Sequence, residues 1–355
     1  MLYAILAILM FGLLIAVHEF GHFITAKLSG VRVNEFAIGM GPQLWKHDRG
    51  ETQYSLRLFP IGGFCAMEGE DEDSKDPRAF GNQGFWKKVL ILVAGSAMNF
   101  LAGFLLILLL LGQNTAFYVP VVGNLYEGFP LEGEQGLMVG DRICSINGSP
   151  IFTYSDMVMF LDREAGAPMD LVIKRDGKKI LLEDLPLEKR EYTINGQTQY
   201  KFGIVPAVER ATPGVKLRES VYSAVDFVRL VWIGLTDLVG GRAGIQDMAG
   251  PIGIVGAVTE AGQEAESAGG RAAGIRSVVY FLAFIAINLA VMNLLPIPAL
   301  DGGRIFLLIV GSLFTLVTGR SLDPKYEGYI HTVGFVLLLA LMAVVAFNDV
   351  FRFLR

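Results

Sequence analysis

Between Leu2 and Val17 the chain carries no charged residue, and such a stretch, wound as a helix, crosses most of a hydrocarbon core about 30 Å thick. Three more stretches share this character. Val89 to Gly112 is interrupted only by Ser96 and Asn99, Val278 to Leu300 carries Asn288, Asn293, Pro296 and Pro298, and Tyr329 to Phe347 is apolar almost throughout. We therefore expect four transmembrane helices. Ile305 to Val317 is short for a span and is expected to pack along the bundle or at the interface. The first stretch has neither a basic region before it nor a small-residue cleavage pattern, so it reads as a span and not as a signal peptide. Residues are 52% hydrophobic and 18% charged, and the charges concentrate in the middle of the chain, where a soluble domain is expected. A net charge of −5, with no long basic run and no zinc-finger spacing, gives no reason to expect nucleic acid as a partner. Cys65 and Cys144 fall in different polar regions, and a disulfide between them is not expected.

Lys27, Arg32, Lys87, Lys88, Arg304, Arg320 and Lys325 flank the spans so as to place the first and third loops in the cytoplasm, with Arg352 and Arg355 running against that orientation. Between the second and third spans, residues 119–206 read as a small β-rich domain. Its signals are Gly136 to Ile143 ahead of Asn147-Gly148, a short helix at Asp156 to Glu164, and a strand at Leu171 to Arg175 entering Asp176-Gly177. Pro213 to Val239 has apolar residues near helical spacing broken by charges, which predicts an interfacial amphipathic helix. Gly240 to Gly274, rich in Gly and Ala, is expected to be a flexible connection.

The chemistry concentrates at the end of the first span. His18-Glu19-Phe20-Gly21-His22 is an HExxH motif, whose two histidines fall on one helical face and can bind one zinc ion while the glutamate acts as general base. In a soluble chain this five-residue pattern is a weak signal with many accidental matches. In a hydrophobic helix an acidic residue costs roughly 3 kcal/mol near the bilayer centre, so an ionisable cluster there marks a functional site. A catalytic zinc usually takes three protein ligands, and His47, His331, Glu327 and Asp301 are the candidates for the third. His47 lies beside Asp48 in a polar loop, and His331 and Glu327 lie near the start of the last span. Asp301 follows Asn293-Leu294-Leu295-Pro296-Ile297-Pro298-Ala299-Leu300, where two prolines break a helix, and irregular backbone at membrane depth is tolerated only in protein or beside water. The alternative role for Asp301 is that of N-cap to the following helix.

HEFGH in the first span, NLLPIPALDGG at the end of the third, and the β-rich insert between the second and third together resemble the site-2 protease family of intramembrane metalloproteases, close to its bacterial RseP-like branch. The resemblance covers nearly the whole chain. It implies His18, His22 and Asp301 as ligands of Zn2+, Glu19 as catalytic carboxylate, and Asn293 with Asn288 as residues that hold substrate near the metal. The insert resembles a single PDZ domain, and Tyr54 to Phe64, with Gly62, Gly63 and Phe64, resembles the family's membrane-associated β-hairpin. Gly95 to Phe100 fits a family pattern of small residues and Asn, although small residues at a helix contact explain it equally well.

The expected architecture is then a polytopic α-helical membrane protein with an inserted PDZ-like domain. Residues 1–112 form a membrane half with the HExxH helix, hairpin loop and second span. Residues 113–210 form the PDZ-like domain, 211–275 the amphipathic helix and connector, and 276–355 a second membrane half. The expected activity is regulated intramembrane proteolysis of single-span membrane proteins, such as anti-sigma factors or remnant signal peptides. It is placed in the inner membrane, with the active site toward the cytoplasm and the insert outside. A transporter with broken helices would show matching halves, and a PDZ-bearing scaffold would leave the histidines without purpose; neither fits as well.

Overall fold

The computed structural model describes residues 1–70, 72–194, 196–244, 248–319 and 324–354. The chain runs through α1 (Leu2–Leu28), β1 (Val33–Arg49), β2 (Thr52–Met67) and α2 (Phe85–Leu111). It continues through β3 (Ala116–Leu125), β4 (Arg142–Ile146), β5 (Ser149–Pro150), α3 (Tyr154–Arg163), β6 (Met169–Arg175), β7 (Lys178–Leu185), β8 (Arg190–Ile194), β9 (Gln197–Lys201) and β10 (Ile204–Arg210). The remaining helices are α4 (Pro213–Val239), α5 (Pro251–Asn293), α6 (Asp301–Thr318) and α7 (Pro324–Leu354). Two compact units result, one from residues 1–107 with 227–355 and the other from residues 108–226.

Among the described residues five helices are long and apolar enough to cross a membrane: α1, α2, α5, α6 and residues 328–351 of α7. The addition to the expected four is α6. It starts at Asp301, four residues before the apolar stretch, because Gly302 and Gly303 let its first turn press onto the preceding loop. A side-chain carbon at Gly303 would lie 2.7 Å from the carbonyl carbon of Ile297.

The core of the membrane unit is α1 packed between α2 and the second half of α5. Leu14 meets Leu282 and Ala286, while Gly103 of α2 sits against Ala283 and Ile287. The expectation of a flexible Gly-rich connection through residue 274 is corrected here. From Pro251 onward the chain is helical, with Pro251 at the helix start, where its missing N–H is no loss. The helix folds back at Gly270, whose φ of 78° is open to glycine, so the residues before and after it form two arms. Gly262 of the first arm lies against Val278 of the second, and both pack around Tyr3, whose hydroxyl donates to Glu266 at 2.8 Å. The start of the first arm is tied to α7, because the buried Asp349 carboxylate accepts the Gly250 N–H at 3.1 Å and the Gly253 N–H at 2.8 Å. These are donors that no turn of their own helix can satisfy.

β1 and β2 form a twisted hairpin in which Glu35 to Ile38 is matched on two sides, to Gln53–Leu56 and to Gly63–Ala66. His47, placed in a loop by the sequence reading, belongs to β1, exposed and stacked on Trp45. In the turn between β1 and β2 Glu51 accepts from Lys27 at 2.8 Å and also bonds Arg78, and these two cations hold its carboxyl at about 2.

In the other unit the sheet order is β10-β3-β4-β6-β7, with β5 paired to β4 and a separate β8-β9 hairpin. Asn147-Gly148 and Asp176-Gly177 have φ of 45° and 77°, and 49° and 81°, as tight hairpins require. Asp141, fully buried, is paired to Arg175 at 2.7 Å. α4 is a single helix over the range read as amphipathic.

Candidate metal centre

α1 brings His18 and His22 one turn apart on the face it buries, with the ring centroids 4.7 Å apart. α2 runs past them in the opposite direction: His22 meets Ile91, Gly21 meets Ala94 and Gly95, and His18 meets Asn99. The helices approach this closely because Gly21 and Gly95 lack side chains. A carbon added at Gly95 would lie 2.7 Å from His18 Cε1 and 2.8 Å from His22 Cε1. Overpacking of this kind costs about 1–3 kcal/mol. We therefore expect Gly95→Ala to weaken zinc binding about 5- to 150-fold, read by competition with a chelator; unchanged affinity would show that the rings have room to move.

The third group arrives from the far end of the sequence. After α5 ends at Asn293 the chain turns through the two prolines, with Ala299 at a φ of 76°, a conformation costing about 1–3 kcal/mol in a residue with a side chain. Asp301 then opens α6 and directs Oδ2 to within 3.2 Å of His18 Nε2 and 3.4 Å of His22 Nε2, which are 3.1 Å from each other. Leu300 holds the N-cap position, among the described residues no side chain caps the helix, and Asp301 stands one place later, in the first turn. Among the described residues these three form the cluster able to hold a metal ion.

The atoms fit zinc. Four-coordinate zinc with bonds of about 2.0–2.1 Å separates its ligand atoms by about 3.3–3.4 Å, close to the three spacings here. Asp301 Oδ2 is buried without a hydrogen bond among the described residues, although both imidazole nitrogens are near. His22 Nδ1 donates to the Ile91 carbonyl at 2.9 Å, which leaves Nε2 with a lone pair aimed at the cluster. Lone pairs converging on one point repel unless a cation lies among them.

Glu19, half-buried on the same turn of α1, faces the hairpin, and a carbon built on Gly63 would lie 3.6 Å from its Cγ. Gly63 and Phe64 pair with Ile38 and Ala37 on one side, and among the described residues no further strand pairs on the other. Arg57 stands over the Phe64 ring at 4.8 Å, and Gly62, with a φ of 95°, packs on Met40. Asn293 brings its amide nitrogen to 3.5 Å from His18 Nδ1. Asn288 is about 140° around the same helix and has no hydrogen bond to the cluster among the described contacts. The side chains of Glu327 and His331 lie outside the described residues. Sequence reasoning left Asn99 undecided and gave no role to the Ile91 carbonyl. The usable signal was that Asn99 is a polar residue inside an otherwise apolar span.

Comparison with known proteins matches residues 6–341 to the family described as Peptidase family M50. A protein of Clostridium acetobutylicum is 37% identical over 349 residues, covering 98% of this chain and 96% of its own length. Zinc metalloprotease RasP of Geobacillus kaustophilus is 28% identical, covering 98% and 97%. Regulator of sigma-W protease RasP of Bacillus subtilis is 27% identical, covering 97% of each.

Proposed function

Because this chain belongs to peptidase family M50, the site-2 proteases, and is a zinc metallopeptidase, we propose that it cuts peptide bonds within the membrane-spanning segments of single-span membrane proteins, with His18, His22 and Asp301 holding the zinc. The observation that carries this reading is the meeting of two imidazoles and one unpartnered carboxylate oxygen inside a bundle of apolar helices. Bound zinc supplies Lewis acidity, which acidifies water and polarises a carbonyl.

The protein's own groups do the rest. Glu19 accepts the proton of the attacking water and returns it to the departing amine. Asn293, at the broken end of α5, orients the scissile carbonyl, and Asn288 assists from further along that helix. A substrate helix shields its peptide bonds with its own hydrogen bonds, and in lipid an unwound backbone group without a partner costs several kcal/mol. The edge through Gly62, Gly63 and Phe64 offers those partners to an extended segment, beside Glu19.

Four crossings account for the membrane unit. Gly274 lies at Tyr3, Asn293 at His18, and Ile305 with Leu308 against the apolar cluster that includes Ala26 and Val31, which supports the second arm of α5 and the start of α6 following α1 along its length. Together they make the third crossing and α7 the fourth. With Lys27 and Arg32 on the cytoplasmic side, the cluster opens toward the cytoplasm of an inner membrane and the β-rich unit lies outside. We read that unit as a single PDZ-like domain, supported by its sheet order and by the α3 helix. The name of the Bacillus subtilis relative supports anti-sigma factors as substrates, with remnant signal peptides as the second class.

The test is direct. Purified protein in liposomes with a single-span reporter is expected to hold one zinc per chain and cut inside the span. Activity should vanish on chelation by phenanthroline and return with zinc. Cleavage persisting in metal-free protein, or product ends mapped outside the span, would overturn the reading.

A further inference from the structure

The two histidines differ in what holds their outer nitrogens. His22 Nδ1 has an acceptor, the Ile91 carbonyl. His18 Nδ1 is approached instead by two amide nitrogens, those of Asn99 and Asn293, each at 3.5 Å. If His18 offers Nε2 to zinc, Nδ1 must carry the proton, and a proton facing two donors is unsatisfied. Asn99 itself offers the remedy. Asn99 is 1% exposed, and its Oδ1 is buried without a hydrogen bond among the described residues. The two ends of an amide are interchangeable in shape, so a half turn about its last bond brings Oδ1 to face Nδ1. One rotation supplies an acceptor to the histidine and a donor to the orphaned oxygen.

From this geometry we infer that Asn99 is a positioning residue for the metal centre: its side-chain oxygen accepts the His18 Nδ1 proton and fixes the ring with Nε2 toward zinc. α2 then orients both ligands. Ile91 and Asn99 are eight residues apart, slightly more than two turns, which keeps them on one face of the helix as it passes the two histidines. The assignment also gives the two asparagines that flank His18 Nδ1 different tasks. Asn99 is sealed in the bundle and serves the ligand, while half-buried Asn293 is left free to turn toward a substrate.

The inference rests on His18 being a zinc ligand, and the experiment keeps the two claims apart. Zinc affinity of the full chain is measured by chelator competition for Asn99→Leu, Asn99→Asp and His18→Ala, together with the thermal midpoint of each metal-free protein. Loss of an outer partner of a ligating histidine typically lowers metal affinity about 10- to 100-fold. Asn99→Leu should show this loss, while Asn99→Asp, which keeps an acceptor, should bind at least as tightly as the parent. Unchanged affinity in Asn99→Leu overturns the inference. So does equal weakening in both Asn99 variants, because that pattern follows packing and not the acceptor. Should His18→Ala itself keep full affinity, it is the ligand assignment that fails.

Discussion

Glu19→Gln is expected to leave zinc at one per chain and to lower cleavage of a single-span reporter about 10²- to 10⁴-fold, the range general-base catalysis contributes. Glutamine keeps the size and one hydrogen-bonding oxygen of the side chain but cannot take up a proton. The separation of metal content from turnover follows from the fold. Glu19 is on the same turn as His18 and His22 but faces Gly63 of the hairpin, outside the three-atom cluster. Zinc analysis and single-turnover cleavage on one preparation check this. Turnover within tenfold of the parent would remove Glu19 from the chemistry, and loss of zinc would make it a ligand.

Asp301→Asn is the second large effect. The substitution keeps the shape of the side chain and replaces the anionic oxygen by a neutral amide group. Outer partners of a ligand are worth about 10- to 100-fold in affinity, and loss of a ligand itself should exceed about 100-fold. Activity should fall with it and recover only in part at high zinc. A mere helix-end role predicts otherwise. An acidic residue in a first turn stabilises a helix by about 0.3–1 kcal/mol, which would appear as a small thermal shift with unchanged zinc affinity. Equilibrium competition with a chelator separates the outcomes.

The parts of this protein that were legible in its sequence are those where local chemistry leaves few choices. Asn147-Gly148 and Asp176-Gly177 adopt the positive φ that such pairs allow, and the two histidines of HExxH share one helical face because a four-residue spacing puts them there. The break at Pro296 and Pro298 was equally plain. What escaped depends on the partner across a contact. Residues 251–274 read as a flexible connector because glycine is a poor helix former, yet Gly262 and Gly274 allow the close approach of Tyr3 and the second arm of α5. In the same way Gly95 looked like any small residue in a span, although its missing side chain is the space two imidazoles occupy. The meeting of Asp301 with the histidines is a tertiary fact; the prolines before it set Asp301 apart from the other candidates, and likeness to a family implied the pairing.

His22 and Asp301 are 279 residues apart in sequence, yet Oδ2 and Nε2 are 3.4 Å apart. A nascent chain that has emerged only as far as the end of α5 owns both imidazoles and Glu19 but has no carboxylate to complete the set. On the proposed assignment the set of three ligands therefore exists only once α6 has been made and packed against α1. An ion held by the proposed ligands would tie α1 to α6, so that its binding free energy would add to the folding free energy of the bundle.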